Sequence, residues 1–221
     1  MNDSGHPMLT VLFTIFASSF VVALSGALMP GPLLTATISE SSRYGFITGP
    51  LMIAGHALLE LALVGAILLG LAPFFQRPEV FVATALSGSV ILAWMAFGMF
   101  RSLPALTLSR KPDPRRRNHP LISGILMSVA NPYWIIWWAT IGLGYILYSW
   151  RFGLRGVVFF FAGHILADLA WYSLVSATVA GGRQFLTDRL YRGLIAACAA
   201  FLVVFAGYFA FAGLGKLNAI L

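Results

Sequence analysis

Two short segments of the chain repeat one arrangement of a glycine, a histidine and an acid inside long apolar runs. The first segment reads GHALLELA and the second reads GHILADLA. Residues four apart lie on one face of a helix, so His56 is expected beside Glu60. The same spacing puts His164 beside Asp168. A buried imidazole next to a carboxylate can exchange protons, hold an ammonium group, or ligate a divalent metal ion.

The composition indicates that these polar pairs lie in a membrane protein. Hydrophobic residues make up 59% of the 221 residues and charged residues only 10%, and the mean hydropathy is +0.87, which fits no class of soluble domain. The apolar runs lack strand-like alternation, so we expect helices and not a barrel. A membrane span needs about 20 mainly apolar residues. Six runs meet that length, at about 9–38, 46–72, 80–100, 120–149, 156–180 and 192–214.

Two proline-containing segments should interrupt these helices, namely Pro30-Gly31-Pro32 and Asn131-Pro132. Proline removes a backbone donor and clashes with the preceding turn, so it breaks or kinks a helix. Non-helical backbone at membrane depth persists only where protein or a water-filled cavity satisfies its polar groups. A broken helix exposes free N–H and C=O groups that can hold a zwitterion such as an amino acid. Tryptophans near the second break could add an aromatic wall.

The two halves of the chain repeat each other. SGALM precedes the first break and SGILM precedes the second, in addition to the repeated Gly-His segments. Because each copy has three spans, an odd number, the second copy enters the bilayer from the side opposite to the first. The two copies then form an inverted-topology pair. The sequence therefore predicts an all-α integral membrane protein whose six transmembrane helices form two inverted three-helix repeats. The repeats occupy residues 1–100 and 120–221, and a basic loop at 101–119 joins them.

The basic residues predict the orientation of the chain. With the 101–119 loop in the cytoplasm, ten Lys and Arg residues lie inside and four outside, which places both termini outside. The net charge of +7 is thus a topology signal, and no nucleic-acid partner is expected. The expected contacts are membrane lipid and a small-molecule substrate, and a homodimer is compatible with the sequence. Cys198 is the one cysteine, which excludes an internal disulfide.

In these features the chain resembles the lysine-exporter (LysE, RhtB-type) superfamily of small membrane transporters. The resemblance covers residues 26–213 and implies export of amino acids or related small metabolites across a bacterial inner membrane, driven by the proton motive force. It also implies that the two break segments and the acids behind them line the pathway. This chain departs from commoner members, whose helix is plainer and glycine-rich where His56 and Glu60 stand. The motifs that carry the resemblance are M-P-G-P at 29–32, N-P at 131–132 and G-H-x-x-A-D-L-x-W at 163–171.

The predicted function is proton-coupled export of an amino acid or similar solute by alternating access, without a cofactor and without enzymatic activity. Glu60 and Asp168 are expected to carry the proton or the ammonium group, and the two histidines to tune them. The alternative is a divalent-cation efflux carrier that uses the four side chains as ligands. An intramembrane metalloenzyme is disfavoured because the chain lacks an H-E-x-x-H motif. The expected pathway residues are Pro30, Gly31, Pro32, Gly55, His56, Glu60, Asn131, Pro132, Gly163, His164 and Asp168.

Overall fold

The computed structural model describes residues 5–75, 77–105, 119–182 and 187–219, and this part of the chain forms helices and turns without a strand. Most of the predicted basic loop, residues 106–118, lies outside the described residues. π-helical segments lie at Ile67–Leu71 and Trp138–Gly142, and a 3₁₀ turn at Leu103–Ala105. The α-helices are α1 (Gly5–Ala27), α2 (Pro32–Tyr44), α3 (Thr48–Ala66), α4 (Ala72–Phe75), α5 (Pro78–Ser102), α6 (Pro120–Val129), α7 (Pro132–Trp137), α8 (Leu143–Trp150), α9 (Gly153–Gly181) and α10 (Asp188–Asn218).

By length and composition, five helical segments of the described residues could cross a membrane, and a sixth arises if one bent pair is counted as a single span. The bent pair is Pro120–Val129 with Tyr133–Trp150, whose axes differ by 67°. The first predicted span is shorter than expected, because α1 ends at Ala27 and the more polar α2 follows as a separate helix. The five segments are Met8–Ala27, Thr48–Phe74, Pro78–Ala105, Gly153–Gly181 and Asp188–Asn218.

Both predicted helix breaks are confirmed. Helix α1 ends three residues before Pro30, and α2 begins at Pro32. Helix α6 ends at Val129, and α7 begins at Pro132. Proline is favoured as the first residue of a helix because its fixed φ suits the helix and its missing N–H would have no partner there. The prolines therefore end one helix and begin the next at each break.

The helices pack mainly in pairs that join the two halves of the chain. Helix α1 packs along α9, α3 packs along α6, and α5 packs along α10. Helix α3 also contacts α9, and α2 contacts α3, α6 and α9. The two helices that carry the Gly-His segments, α3 and α9, therefore lie side by side in the centre of the molecule.

Glycines allow these helices to approach at backbone distance. A methyl group at Gly55 of α3 would collide with the carbonyl of Leu121 on α6, and a methyl group at Gly124 of α6 would collide with the carbonyl of Met52 on α3. Close approach through small residues is typical of helix pairs in membranes. This contact fixes α3 against α6 and so fixes the direction in which the polar face of α3 points.

Candidate functional site

The four polar side chains of the repeated segments converge on one point. His56 and Glu60 come from α3, His164 and Asp168 come from α9, and all four are buried. One ligand atom from each side chain lies within 4.8 Å of the others. The sequence predicts two separate pairs, whereas the packing of α3 on α9 joins them into a single cluster, which we call the His-acid cluster.

Glu60 is the centre of the His-acid cluster. Its Oε1 lies 3.0 Å from His56 Nε2, and its Oε2 lies 3.0 Å from His164 Nε2. Asp168 Oδ2 is farther from the same two nitrogens, at 3.6 Å and 3.5 Å. The carboxylate of Glu60, which is only 1% exposed, thus bridges histidines from the two halves of the chain.

Two tryptophans hold the Glu60 carboxylate in place. Trp134 donates its indole N–H to Glu60 Oε1 at 2.9 Å, and Trp138 donates to the same oxygen at 2.7 Å. The two residues are four apart, so both indoles project from one side of the helix that follows the second break. Two donors on one oxygen replace part of the hydration that a carboxylate loses when it is buried.

Ser128 determines which nitrogen of His56 faces the cluster. The Ser128 hydroxyl donates its hydrogen to the Gly124 carbonyl at 2.7 Å, and the same oxygen lies 2.7 Å from His56 Nδ1. A hydroxyl has only one hydrogen to donate, so in this network His56 Nδ1–H donates to Ser128. The lone pair of a neutral His56 is therefore on Nε2 and points at the two carboxylates, an arrangement that calls for a proton or a cation between them.

The second pair has fewer partners than the first. His164 Nδ1 and Asp168 Oδ2 are buried without a hydrogen-bond partner. His164 Nε2 and Glu60 Oε2 are also buried without one. These two atoms lie 3.0 Å apart, but their angles are not those of a hydrogen bond. Buried polar atoms without partners cost free energy, and a proton, a water molecule or an ion bound to them would lower that cost. The His-acid cluster thus has unused capacity for a bound group.

A cavity opens beside the cluster and reaches both helix breaks. About 760 Å³ of space lies between its lining atoms, the solvent at its open mouth included. Its described lining includes no Lys or Arg, so the titratable groups facing it are the cluster and two tyrosines. The lining from the breaks is Met29, Pro30, Gly31, Ser128 and Asn131, and the aromatic lining is Tyr133, Trp134, Trp137, Tyr172, Phe201 and Phe205.

The two breaks lie next to each other at this cavity but differ in their capping. The position of a β-carbon at Gly31 would be 3.7 Å from the side-chain nitrogen of Asn131. Asn131 Oδ1 accepts from the Tyr133 N–H at 3.1 Å, which caps α7. Helix α2 has no side-chain cap at its N-terminus. Its first backbone N–H groups are consequently available to an anionic group in the cavity.

The predicted pathway residues fall into two groups. Seven of the eleven line the cavity, and the other four are Pro32, Gly55, Pro132 and Gly163. Gly55 contacts α6, as described above, and Gly163 contacts Phe16 and Ser19 of α1. Pro32 is buried as the first residue of α2, and Pro132 occupies the same place in α7. The residues that line the cavity are Pro30, Gly31, His56, Glu60, Asn131, His164 and Asp168.

Sequence reasoning missed the residues that support the cluster. The sequence predicts no role for Ser128, and it indicates only an aromatic wall for Trp134 and Trp138. A serine one helical turn before an Asn-Pro break, and two indoles spaced four apart just after it, were the available signals. Such signals identify the two indole donors but not their acceptor, Glu60, which lies 74 and 78 residues away in the sequence.

Comparison with known proteins agrees with the resemblance inferred from the sequence. The sequence model of the family described as LysE type translocator matches residues 24–213. A protein of Bacillus subtilis (strain 168), named "Putative amino acid efflux protein YcgF", is 27% identical over 207 residues, which cover 92% of this chain and 98% of that protein. No solved structure matches the chain significantly.

Proposed function

Because the chain belongs to the LysE-type translocator family, we propose that it exports an amino acid or a related small metabolite by a proton-coupled, secondary active mechanism. The observation that carries this proposal is the His-acid cluster, which forms the charged wall of a cavity between two broken helices. The several candidate membrane spans support a multi-pass membrane protein. The similarity to a protein named for amino acid efflux supports export as its activity. The expected location is the inner membrane of a bacterium.

The cavity offers complementary ends to a zwitterionic solute. The ammonium group would lie against Glu60 and Asp168, the acids that face the cavity. The carboxylate would lie at the uncapped N-terminus of α2, whose residue Leu33 lines the same cavity. Helix N-termini favour anions because their first N–H groups lack partners and the helix dipole is positive there. The aromatic lining would contact the solute's side chain.

Proton coupling would use the same carboxylates. Two carboxylates and two imidazoles form the cluster, so protons and a cationic solute group compete for the same acceptors. A proton that moves inward along the membrane potential supplies about 2.3 kcal/mol per 100 mV, so one or a few protons would accompany each exported solute. The two indole N–H groups that donate to Glu60 Oε1 stabilise its ionised form.

Alternating access would come from movement of one three-helix repeat, residues 1–100, against the other, residues 120–221. The helix pairing supports a two-fold relation between the repeats. The first broken helix pairs with the second span of the other half, as α1 does with α9, and the reciprocal pair is α3 with α6. The third spans, α5 and α10, pair with each other. This reciprocal pairing of helices is expected of two repeats related by a two-fold axis in the membrane plane.

The proposal is tested by counterflow in proteoliposomes. Vesicles loaded with unlabelled amino acids are diluted into labelled ones, with and without a pH gradient. Glu60→Gln and Asp168→Asn should abolish gradient-dependent uptake, because each removes an acceptor from the cluster. Glu79→Gln is the matched control, since Glu79 is an exposed acid in the first turn of α5. Folded native protein that moves no amino acid, or variants that transport as well as the control, would overturn the proposal.

A second candidate function, divalent-cation efflux, is favoured by one observation. From the sequence, a metal carrier required α3 and α9 to bring all four ligands within a few ångströms, and they lie within 4.8 Å. The same vesicles should therefore be assayed with Zn²⁺, Cd²⁺ and Ni²⁺. Cation uptake that His164→Gln abolishes, without amino-acid counterflow, would replace the first proposal with this one.

A further inference from the structure

We propose that the His-acid cluster is a tetrahedral binding site for one divalent transition-metal ion, with Zn²⁺ as the best fit. The ligands would be His56 Nε2, His164 Nε2 and one carboxylate oxygen each from Glu60 and Asp168. This inference concerns binding, whether or not the ion is transported, and it does not depend on the proposed export of amino acids.

The nitrogen-to-oxygen distances in the cluster are close to those of a tetrahedral shell. Ligands about 2.0 Å from a zinc ion lie about 3.3 Å from one another at the corners of a tetrahedron. In the cluster, Asp168 Oδ2 lies 3.6 Å from His56 Nε2 and 3.5 Å from His164 Nε2. Glu60 lies 3.0 Å from each of these nitrogens, through Oε1 to His56 and through Oε2 to His164. No two ligand atoms are more than 4.8 Å apart, so small side-chain rotations would complete the shell.

The side chains of the cluster also direct unpaired nitrogen and oxygen atoms toward one another, as metal ligands do. His56 donates Nδ1–H to Ser128, which leaves the Nε2 lone pair directed into the cluster. A histidine held by a hydrogen bond from its other nitrogen is the usual arrangement around protein-bound metals. Glu60 Oε2, His164 Nε2 and Asp168 Oδ2 are all buried without hydrogen-bond partners. A cation at the centre would satisfy these three atoms together.

Charge and donor type select the ion. The two carboxylates carry two negative charges in a buried site, and one divalent cation neutralises both, whereas an unbalanced buried charge is costly. Two imidazole nitrogens favour zinc and its transition-metal neighbours, because Mg²⁺ and Ca²⁺ prefer oxygen ligands throughout. The bound ion would join α3 to α9, the two helices that supply the ligands.

Co²⁺ binding to the purified protein tests the site directly. The affinity tag is removed, because a histidine tag binds the same ions, and the protein in detergent is stripped with a chelator and titrated with Co²⁺. The expected result is one ion per chain with the intense visible absorption of tetrahedral Co²⁺, bleached by one equivalent of Zn²⁺. His164→Gln and Asp168→Asn should weaken binding at least about tenfold.

Two further variants make the result specific. His119→Gln should bind Co²⁺ like the native chain, since His119 is exposed and caps α6 outside the cavity. Ser128→Ala should weaken binding about tenfold by releasing His56 Nδ1, and it serves as the test if a ligand variant does not fold. Circular dichroism and size-exclusion chromatography monitor folding.

The outcomes separate this inference from the proposed function. A pale spectrum typical of octahedral Co²⁺, or equal affinity in His164→Gln, Ser128→Ala and the native chain, would overturn the metal site. Stoichiometric tetrahedral binding by a protein that moves no amino acid would uphold the site and remove the export proposal. Amino-acid transport by a protein that binds no Co²⁺ would uphold the export proposal and overturn the metal site.

Discussion

Glu60 of α3 and His164 of α9 face each other across 3.0 Å, measured between Oε2 and Nε2. They belong to different copies of the repeated Gly-His segment, so the two copies build one site and not two. Each histidine therefore has an acid from its own helix and another from the neighbouring helix. A change in either half of the chain should disturb the whole cluster.

The first prediction tests that coupling with a double-mutant cycle on Glu60→Gln and His164→Gln. Because the two side chains touch, the loss of stability in the double variant should differ from the sum of the single losses by at least about 0.5 kcal/mol. The measurement is the unfolding free energy in a fixed detergent or lipid mixture. Glu79→Gln with His119→Gln is the distant control pair, and its effects should add. Additive effects at Glu60 and His164 would contradict the contact.

The second prediction concerns the indole donors. Trp138→Phe keeps an aromatic ring but removes one N–H from Glu60 Oε1, so it should cost about 1 kcal/mol of stability and slow counterflow several-fold. Trp94→Phe is the matched control, because Trp94 is 74% exposed and is not part of the cavity lining. If Trp138→Phe behaves like Trp94→Phe in both thermal unfolding and counterflow, the hydrogen bond does not position Glu60.

The third prediction concerns the close contact between α3 and α6. Gly55→Ala and Gly124→Ala each place a methyl group against a carbonyl of the opposite helix, so each should destabilise the protein by about 1–3 kcal/mol. Gly98→Ala should be neutral or mildly stabilising, because no described atom beyond its chain neighbours and its own helix backbone lies within 4 Å of the added methyl group. Thermal unfolding followed by size-exclusion chromatography ranks the three variants. Equal stability of all three would contradict the backbone contact.

The fourth prediction concerns orientation. In a Cys198→Ala background, single cysteines at Asp113 and Arg151 are labelled in intact cells with a membrane-impermeant thiol reagent. The basic loop is expected in the cytoplasm, so Arg151→Cys should react and Asp113→Cys should react only after the cells are opened. Arg151 is exposed in the turn before α9, and Asp113 lies outside the described residues. Labelling of Asp113→Cys in intact cells would reverse the proposed topology.

Local sequence features were enough to predict the helix breaks and the membrane class. The Pro30-Gly31-Pro32 and Asn131-Pro132 segments end helices through the proline ring itself, and that effect needs no distant partner. Burial of His56 and Glu60 was likewise expected, because a polar pair in an apolar helix must face protein or a cavity. The supporting donors could not be found this way, since Trp138 reaches Glu60 only after two helices have packed.

The sequence alone determined the helical class, the two breaks, the four ionisable side chains and the family resemblance, because periodicity, proline chemistry and residue type are properties of short segments. The tertiary structure decided that the two His-acid pairs form one cluster and that Gly55 and Gly163 contact neighbouring helices instead of the cavity. These facts depend on the axial register and rotation of α3 against α6 and α9. Glycine contacts fix that geometry at backbone distance, and a one-dimensional pattern does not encode which distant helix supplies the opposite surface.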